Sequence, residues 1–525
     1  MPVVSREFLL QDGVREGAAA LRAVAAAAVG AGVAWANGGP VTSCRRTWLD
    51  TFDWRLYRAG LTLEQVTARP GVELIVTGRD GELLARERLQ NAAVTWPSLV
   101  TALPPGPLRE LLEPVAGIRA LSPVAKAASR VAELRALNPD AKTIARLAVD
   151  RMSVTFPARA LAPARLSLSP VRGYQGQTEK AARALAAVPG ISAGRGSALE
   201  AALAAAGHRP GELAGKAGAI ALSPAMPART ALAAILTELL DTLEANVPGT
   251  VKDVDTEFLH DLRIAVRRTR SALKLCGSEL PDGLAARFAP EFRWLGDLTT
   301  PTRDLDVYLL GYESMAAGLV GATEIELAPF RDYLVKSRAV ARRQLVRGLR
   351  SARFLRLTAD WRVALESVRP ARGRATVAQL ADTRIATAHR RALRAGQHLT
   401  ASSPPVSLHD LRKRCKELRY VVEMFGSLHD PAQRWQAVRE LKALQDCLGE
   451  FQDAEVQRDE IRAFAAQMLS DRSAPAETLL AMGEIAAGLA IRQQAALAKF
   501  DGAFASFASP ASKARLAALA RTSAG

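Results

Sequence analysis

The chain has 525 residues, of which 49% are hydrophobic and 23% charged; that length usually divides among two or three cores, and the composition excludes a mainly disordered polymer. Against 53 Asp and Glu stand 70 Lys and Arg, a net charge of +17 that predicts a polyanionic partner. An aromatic content of 5% places nucleic acid behind other polyanions, because single strands are usually held by base stacking. Cys44, Cys276, Cys415 and Cys447 lie far apart without the paired spacing of zinc ligands, so they read as reduced core residues.

From the start of the chain, Met1-Pro2 leads to Arg6 and Glu7 without the basic start and apolar core of a signal peptide. The apolar stretch near residues 18–36 is mainly Ala, Val and Gly and is broken by Arg22, too weak for a membrane span. A cytoplasmic protein with no membrane partner is expected. Val72-Glu73-Leu74-Ile75-Val76-Thr77 and the stretch from Leu147 to Phe156 predict strands, with Ala-rich helices between them, so the first part reads as α+β. Prolines bracket Leu222-Ser223-Pro224-Ala225-Met226-Pro227 and mark a boundary. Beyond it, apolar residues at three- and four-residue spacing run from Ala231 to Ala520, broken at Arg369-Pro370 and Ser403-Pro404-Pro405, and predict helices throughout. The charge excess is split almost evenly, +9 in residues 1–225 and +8 in 226–525, so totals do not localise function.

Self-comparison localises it. Leu259-His260-Asp261-Leu262-Arg263 recurs as Leu408-His409-Asp410-Leu411-Arg412, 149 residues later. At the same offset Arg267 meets Lys416, Arg270 meets Arg419, Gly277-Ser278 meets Gly426-Ser427, Asp304 meets Asp453, and Arg343-Gln344 meets Arg492-Gln493. The helical part is therefore two copies of one unit, most simply a bundle of about four helices each. On a helix, His260, Arg263, Arg267, Arg270 and Lys274 fall within a sector of about 80°. His409, Arg412, Lys416 and Arg419 repeat it. The stripes are roughly 20 and 15 Å long, which suits an extended anion with repeating charges. A solvated face asks only for polarity, whereas here the stripe is kept while neighbours such as Ile264/Lys413 and Arg268/Glu417 change. No Ser, Cys or carboxylate repeats beside the histidines as a nucleophile and base pair, so they read as anion contacts or structural residues. Asp304/Asp306 and Asp453/Glu455 are too few for a hard-cation site and are expected to hold Arg side chains or helix ends.

The run from His260 to Arg270 and its copy from His409 to Tyr420 resemble the CHAD family, the conserved histidine α-helical domain, over about residues 226–520. The resemblance implies binding of inorganic polyphosphate on a basic surface between two helical bundles, and association with polyphosphate granules. The implied contacts are His260, Arg263, Arg267, Arg270, Lys274, His409, Arg412, Lys416 and Arg419, with Arg343 and Arg492 as weaker ones. Trp48-Leu49-Asp50-Thr51-Phe52-Asp53-Trp54-Arg55-Leu56-Tyr57-Arg58 is similar to the CYTH domain, a triphosphate tunnel fold often found ahead of CHAD. Its first-strand Glu-x-Glu-x-Lys is replaced by Val3-Val4-Ser5-Arg6-Glu7, its Arg-x-Arg pair by Glu64-Gln65-Val66, and its late acidic strand by Arg165-Leu166-Ser167-Leu168-Ser169. Metal-assisted phosphoryl chemistry needs those carboxylates and bases.

The expectation is a multidomain chain: a degenerate CYTH-like α+β tunnel barrel (residues 1–215), a linker (216–228), and an all-α CHAD domain of two antiparallel bundles (229–375 and 376–525). It is a polyphosphate binder without catalytic residues, metal or cofactor. A metal-dependent triphosphatase in the first domain and nucleic-acid binding on the same basic face are the alternatives. Protein partners are not indicated by any residue pattern.

Overall fold

The computed structural model describes residues 6–10, 34–69, 71–89, 94–187, 190–194, 196–211, 220–370 and 375–521. Val3-Val4-Ser5 and most of the apolar stretch near 18–36 lie outside them. The chain forms two compact units, Met1–Ala214 and Gly215–Gly525.

The first unit is built on antiparallel strands β1 (Arg6–Leu10), β2 (Ala34–Asn37), β3 (Thr42–Thr51), β4 (Thr62–Ala68), β5 (Gly71–Thr77), β6 (Leu83–Leu89), β7 (Ser98–Leu99), β8 (Ala120–Leu137), β9 (Thr143–Phe156), β10 (Ala160–Leu161), β11 (Ala164–Pro170) and β12 (Ile191–Ala193). Their main path runs β12-β1-β11-β9-β8-β3-β4-β5-β6. The α+β expectation holds, but the strand path is open: β12 and β6 are not paired with each other among the described residues. Helices α1 (Arg55–Arg58), α2 (Pro107–Ala116), α3 (Gln175–Ala186) and α4 (Ala198–Ala205) cover parts of it.

Here the tryptophan-rich motif is structural. Trp48 and Trp54 are buried with Leu199 and Leu203 of α4 in one apolar cluster. The Asp50 carboxylate accepts N–H groups of Thr51, Leu56 and Tyr57 at 2.7, 2.9 and 2.9 Å, tying down α1. Burial nevertheless pushes its pKa up to about 6.

The second unit is helical: α5 (Ala228–Lys252), α6 (Thr256–Cys276), α7 (Leu284–Ala317), α8 (Glu324–Leu349), α9 (Ala352–Glu366), α10 (Val377–Gly396), α11 (Pro405–Met424), α12 (Pro431–Ser470), α13 (Ala476–Ala498), α14 (Phe500–Phe507) and α15 (Pro510–Leu519). Shifting α5–α8 by the repeat offset superimposes them on α10–α13, and α9 on the pair α14 and α15. Each copy therefore has five helical positions, not four, because the helix before the histidine helix belongs to the repeat. Even the 3-10 turns match, Gly277–Glu279 with Gly426–Leu428.

The copies share their cores. One cluster joins Leu262, Phe292, Trp361 and Leu236 of the first copy to Leu411, Leu444 and Phe507 of the second. Another joins Tyr308 and Phe330 to Ile461 and Ile485. The proline-bracketed segment is pinned too: Met226 O accepts Val377 N–H at 2.8 Å, and Ser427 Oγ accepts Leu222 N–H at 3.2 Å.

Close approach of α5 to α6 requires a glycine. A Cβ on Gly249 would sit 2.2–2.5 Å from three ring atoms of the buried Phe258. Gly249→Ala is expected to cost about 1–3 kcal/mol through overpacking, despite alanine's better helix propensity, read as a lower midpoint in chemical denaturation.

Candidate anion-binding groove

The histidine helices, α6 and α11, start differently. Asp255 caps α6 by accepting N–H groups of Glu257 and Phe258 at 2.9 and 3.2 Å, whereas α11 starts with Pro405, whose missing N–H needs no acceptor. Each buries an apolar stripe, Leu259, Leu262 and Val266 in one and Leu408, Leu411 and Cys415 in the other, so each cationic stripe is turned away from the core.

The two helices meet about a pseudo-twofold axis. Positions 268 and 274 of the first copy correspond to 417 and 423 of the second. Arg268 Nη2 pairs with Glu423 at 3.3 Å, and Lys274 Nζ with Glu417 at 2.5 Å. Residues that differ in charge between copies thus form the clamp that joins them. Arg267 also lies over the Tyr420 ring at 5.7 Å.

Beside this contact, two adjoining cavities of about 530 and 540 Å³ open between α6, α7, α11, α12 and α13. Arg267, Arg412, Asp453 and Gln457 line both. His260, Arg263 and Arg303 line one end; Lys416, Arg419 and Arg492 line the other. Of the residues predicted from the sequence, these walls bring together His260, Arg263, Arg267, Arg412, Lys416, Arg419 and Arg492.

Others go elsewhere. Arg270 lies against Gly296, where a Cβ would come within 2.6 Å of its Nη1; in the second copy the equivalent Arg419 donates from Nη1 to Gln445, the counterpart of Gly296, at 3.0 Å. His409 and Arg343 do not line these two cavities. Lys274 is taken up by Glu417, and Lys274→Ala is expected to leave the affinity of the groove for a polyanion within about twofold, since one exposed ion pair contributes little. A titration of the variant checks this.

Several wall cations are already held. Arg263 Nη1 donates to Thr299 Oγ1 at 2.9 Å and Thr300 Oγ1 at 2.8 Å, and burial lowers its pKa. Arg412 donates from Nη1 to Gln452 Oε1 at 2.7 Å and from Nη2 to Asp453 Oδ1 at 2.8 Å. Arg419 reaches Glu423 at 3.0 Å. The acids are occupied as well: Glu460 accepts the Tyr308 hydroxyl at 2.7 Å, and Glu450 lies 3.9 Å from Lys499. Asp306 pairs with Arg338 and Asp453 with Arg412, the roles expected of the repeated acids.

Lys416 is different. Its burial, reinforced by Arg412, Arg267 and Arg419 and only partly offset by Asp453, pushes its pKa down to about 8. No ion pair joins Arg267, Lys416 or Arg492 to a carboxylate among the described residues. Arg303, Gln445, Gln452 and Gln457 escaped the sequence reading; Arg303 and Gln452 are equivalent positions one residue before the repeated Asp304 and Asp453, but the change from Arg to Gln hid the pair.

Among the described residues no group of three or more His, Cys, Asp and Glu side chains could hold a metal ion, and no helix is long and apolar enough to cross a membrane. Cys276 and Cys415 are buried, with pKa values pushed up to about 12, whereas Cys44 is only half-buried on β3 and so is not the core residue expected.

No curated protein matches the chain. It is similar to the crystal structure of the CHAD domain from the plant Ricinus communis, at 24% identity and a TM-score of 0.47, over 55% of this chain and 95% of that one. It is similar to PptA from Streptomyces chartreusis at 19% identity and a TM-score of 0.43, over 53% and 99%. A putative adenylate cyclase from Bacillus halodurans matches at 13% identity and a TM-score of 0.23, over 34% and 84%. The CHAD domain family pattern matches residues 234–462, all within the helical unit.

Proposed function

We propose that the helical unit binds inorganic polyphosphate along the groove between its two copies, and that the sheet unit does not catalyse phosphoryl transfer. The observation that carries the first part is the clustering of Lys416 with Arg267, Arg412 and Arg419 on the walls of one cavity, where burial first and repulsion from these charges second push the Lys416 pKa down to about 8. A bound anion relieves that repulsion. Two adjoining compartments that share Arg267 and Arg412, with further cations along both, suit a linear polymer better than one phosphate.

For the sheet unit, the support is internal neutralisation. Arg46 donates to Glu64 Oε2 at 2.7 Å and to Asp150 Oδ2 at 2.6 Å, and Arg165 lies 3.5 Å from Glu7. Glu64, standing where the resemblance implies an arginine, consumes the cation opposite instead of adding one. Triphosphate binding needs spare cations and metal binding spare carboxylates.

Titration with long-chain polyphosphate at physiological salt, with RNA as competitor and phosphate release followed in Mg²⁺ or Mn²⁺, tests both parts. Tight, salt-sensitive, RNA-resistant binding without release is expected. Release of phosphate, or displacement by RNA at equal phosphate, would overturn one or the other. Bound polymer would bring the protein to cytoplasmic polyphosphate granules, which co-localisation in cells checks.

A pH dependence follows. The anion favours the charged amine, so binding draws a proton onto Lys416, and affinity falls as pH rises through about 8. The charged groups that line the cavity with this amine are Arg267, Arg412, Arg419 and Arg492, and the carboxylates of Asp446, Glu450 and Asp453. Lys416→Arg is expected to flatten the profile; a profile unchanged in that variant would remove Lys416 from the site.

A further inference from the structure

Along α11, Arg412, Lys416 and Arg419 follow at i, i+4 and i+7 and share one face; with Arg267 from α6 and Arg492 from α13 they line a compartment of about 530 Å³. The carboxylates of Asp446, Glu450 and Asp453 line the same compartment, Glu450 beside Lys499 and Asp453 paired with Arg412, so the amine stands among cations from three helices without a direct carboxylate partner among the described residues. An exposed lysine has no such surroundings: Lys413 points away from the groove, and Lys274 is bonded to the Glu417 carboxylate.

We infer that Lys416 is an acyl-acceptor site for acyl phosphates, whose phosphate is seated by Arg267, Arg412 and Arg419 while the carbonyl carbon lies against the Lys416 amine. The inference deepens the polyphosphate reading as regulation of the same groove, and rests on it for the phosphate-seating chemistry. Lysines become nucleophiles when desolvated or crowded by other cations. With its pKa near 8, about a tenth of the Lys416 amine is neutral at pH 7, against a fraction on the order of a thousandth or less for an ordinary lysine.

The step balances within its two reactants. The neutral amine attacks the carbonyl carbon and forms the N–C bond; the C–O bond to phosphorus breaks, and inorganic phosphate leaves with that electron pair. The nitrogen gives its extra proton to water. The product is a neutral amide in place of an ammonium, so the groove loses a cation that no carboxylate offsets by a direct ion pair. Acylation therefore weakens the grip on polyphosphate, and bound polyphosphate shields the amine.

The test incubates the full-length protein with acetyl phosphate at pH 7.5 and quantifies acetylation of each lysine by mass spectrometry, beside the uncharged donor N-hydroxysuccinimide acetate. Lys416 is expected to react at least about tenfold faster than Lys413 with acetyl phosphate, following its larger neutral fraction. Long-chain polyphosphate should protect it, and Arg267→Ala should slow the acetyl phosphate reaction but not that of the uncharged donor. Equal rates at Lys416 and Lys413, or no effect of Arg267→Ala, would overturn the inference. Polyphosphate titration of the same sample separates the two readings: binding with an inert Lys416 defeats the acyl-acceptor site alone, whereas Arg267-dependent acetylation without polymer binding defeats the polymer reading alone.

Discussion

The triple variant Arg267→Ala/Lys416→Ala/Arg492→Ala is expected to lose polyphosphate affinity by at least about a hundredfold at physiological salt, since a charge-assisted hydrogen bond contributes about 1.5–3 kcal/mol. Its remaining binding should also depend less steeply on salt, because fewer phosphates are neutralised. These three wall cations have no carboxylate ion pair among the described residues, so their removal strands no acid. Removing the crowded Lys416 charge should even raise thermal stability. Its folded-state pKa of about 8 lies below the unfolded value, so the charged form disfavours folding fully below about pH 8 and less as pH rises toward the unfolded value, and Lys416→Met should melt higher near neutral pH while binding less polymer. Circular dichroism, thermal melting and titration on one preparation check the set; undiminished affinity in a folded triple variant would refute the groove.

Selecting by conserved stripe alone, Arg263, Arg267, Arg412 and Arg419, would give a less readable experiment. Arg263 bridges α6 to Thr299 and Thr300 of α7, and Arg412 bridges α11 to Asp453 of α12. Alanine there mixes lost binding with lost helix packing and leaves Asp453 facing the groove unpaired.

What was legible follows from periodicity and from the repeat. Helical spacing locates the elements from Ala231 onward, and the 149-residue offset alone matches His260 to Arg270 with His409 to Arg419. One stripe could not say which of its members turn inward to a neighbour. Lys274 and Lys416 look alike in sequence, yet the first meets a carboxylate across the pseudo-twofold contact and the second meets arginines. The charge change at Arg268/Glu417 looked like tolerance, whereas with the unremarked change at Lys274/Glu423 it is complementarity, visible only once α6 crosses α11. The fifth helix of each copy was missed because α5 and α10 carry no chemistry to match, only an apolar face: Leu232, Leu236 and Leu240 in one, Ala381, Ile385 and Ala388 in the other.

The largest loss of stability is expected at Arg338, on α8. Its Nε pairs with the carboxylate of Asp306, 1% exposed in α7, at 2.5 Å, and its Nη atoms reach both oxygens of Asp253 at 2.7 and 2.8 Å. Asp253 ends α5 with φ 56, a left-handed conformation a non-glycine residue adopts at a cost, so Arg338 also holds a strained turn. Arg338→Ala should destabilise by about 3 kcal/mol, because it leaves a buried carboxylate without its counterion. The pH dependence identifies the cause. Burial raises the pKa of Asp306, whereas the Arg338 hydrogen bonds lower that of Asp253. Without Arg338, Asp306 rises further and binds a proton in the folded state before the unfolded chain does, and Asp253 loses the largest cause of its depression, keeping only Arg342; both changes make the deficit smallest at acid pH and larger as pH rises to neutrality. Adding Asp306→Leu to Arg338→Met should recover much of the loss, as apolar replacement of a buried pair often does. Denaturant titrations at pH 4.5 and 7.5 measure both effects, and a deficit independent of pH would mean that packing of the Arg338 stem, rather than its charge, holds α5, α7 and α8 together.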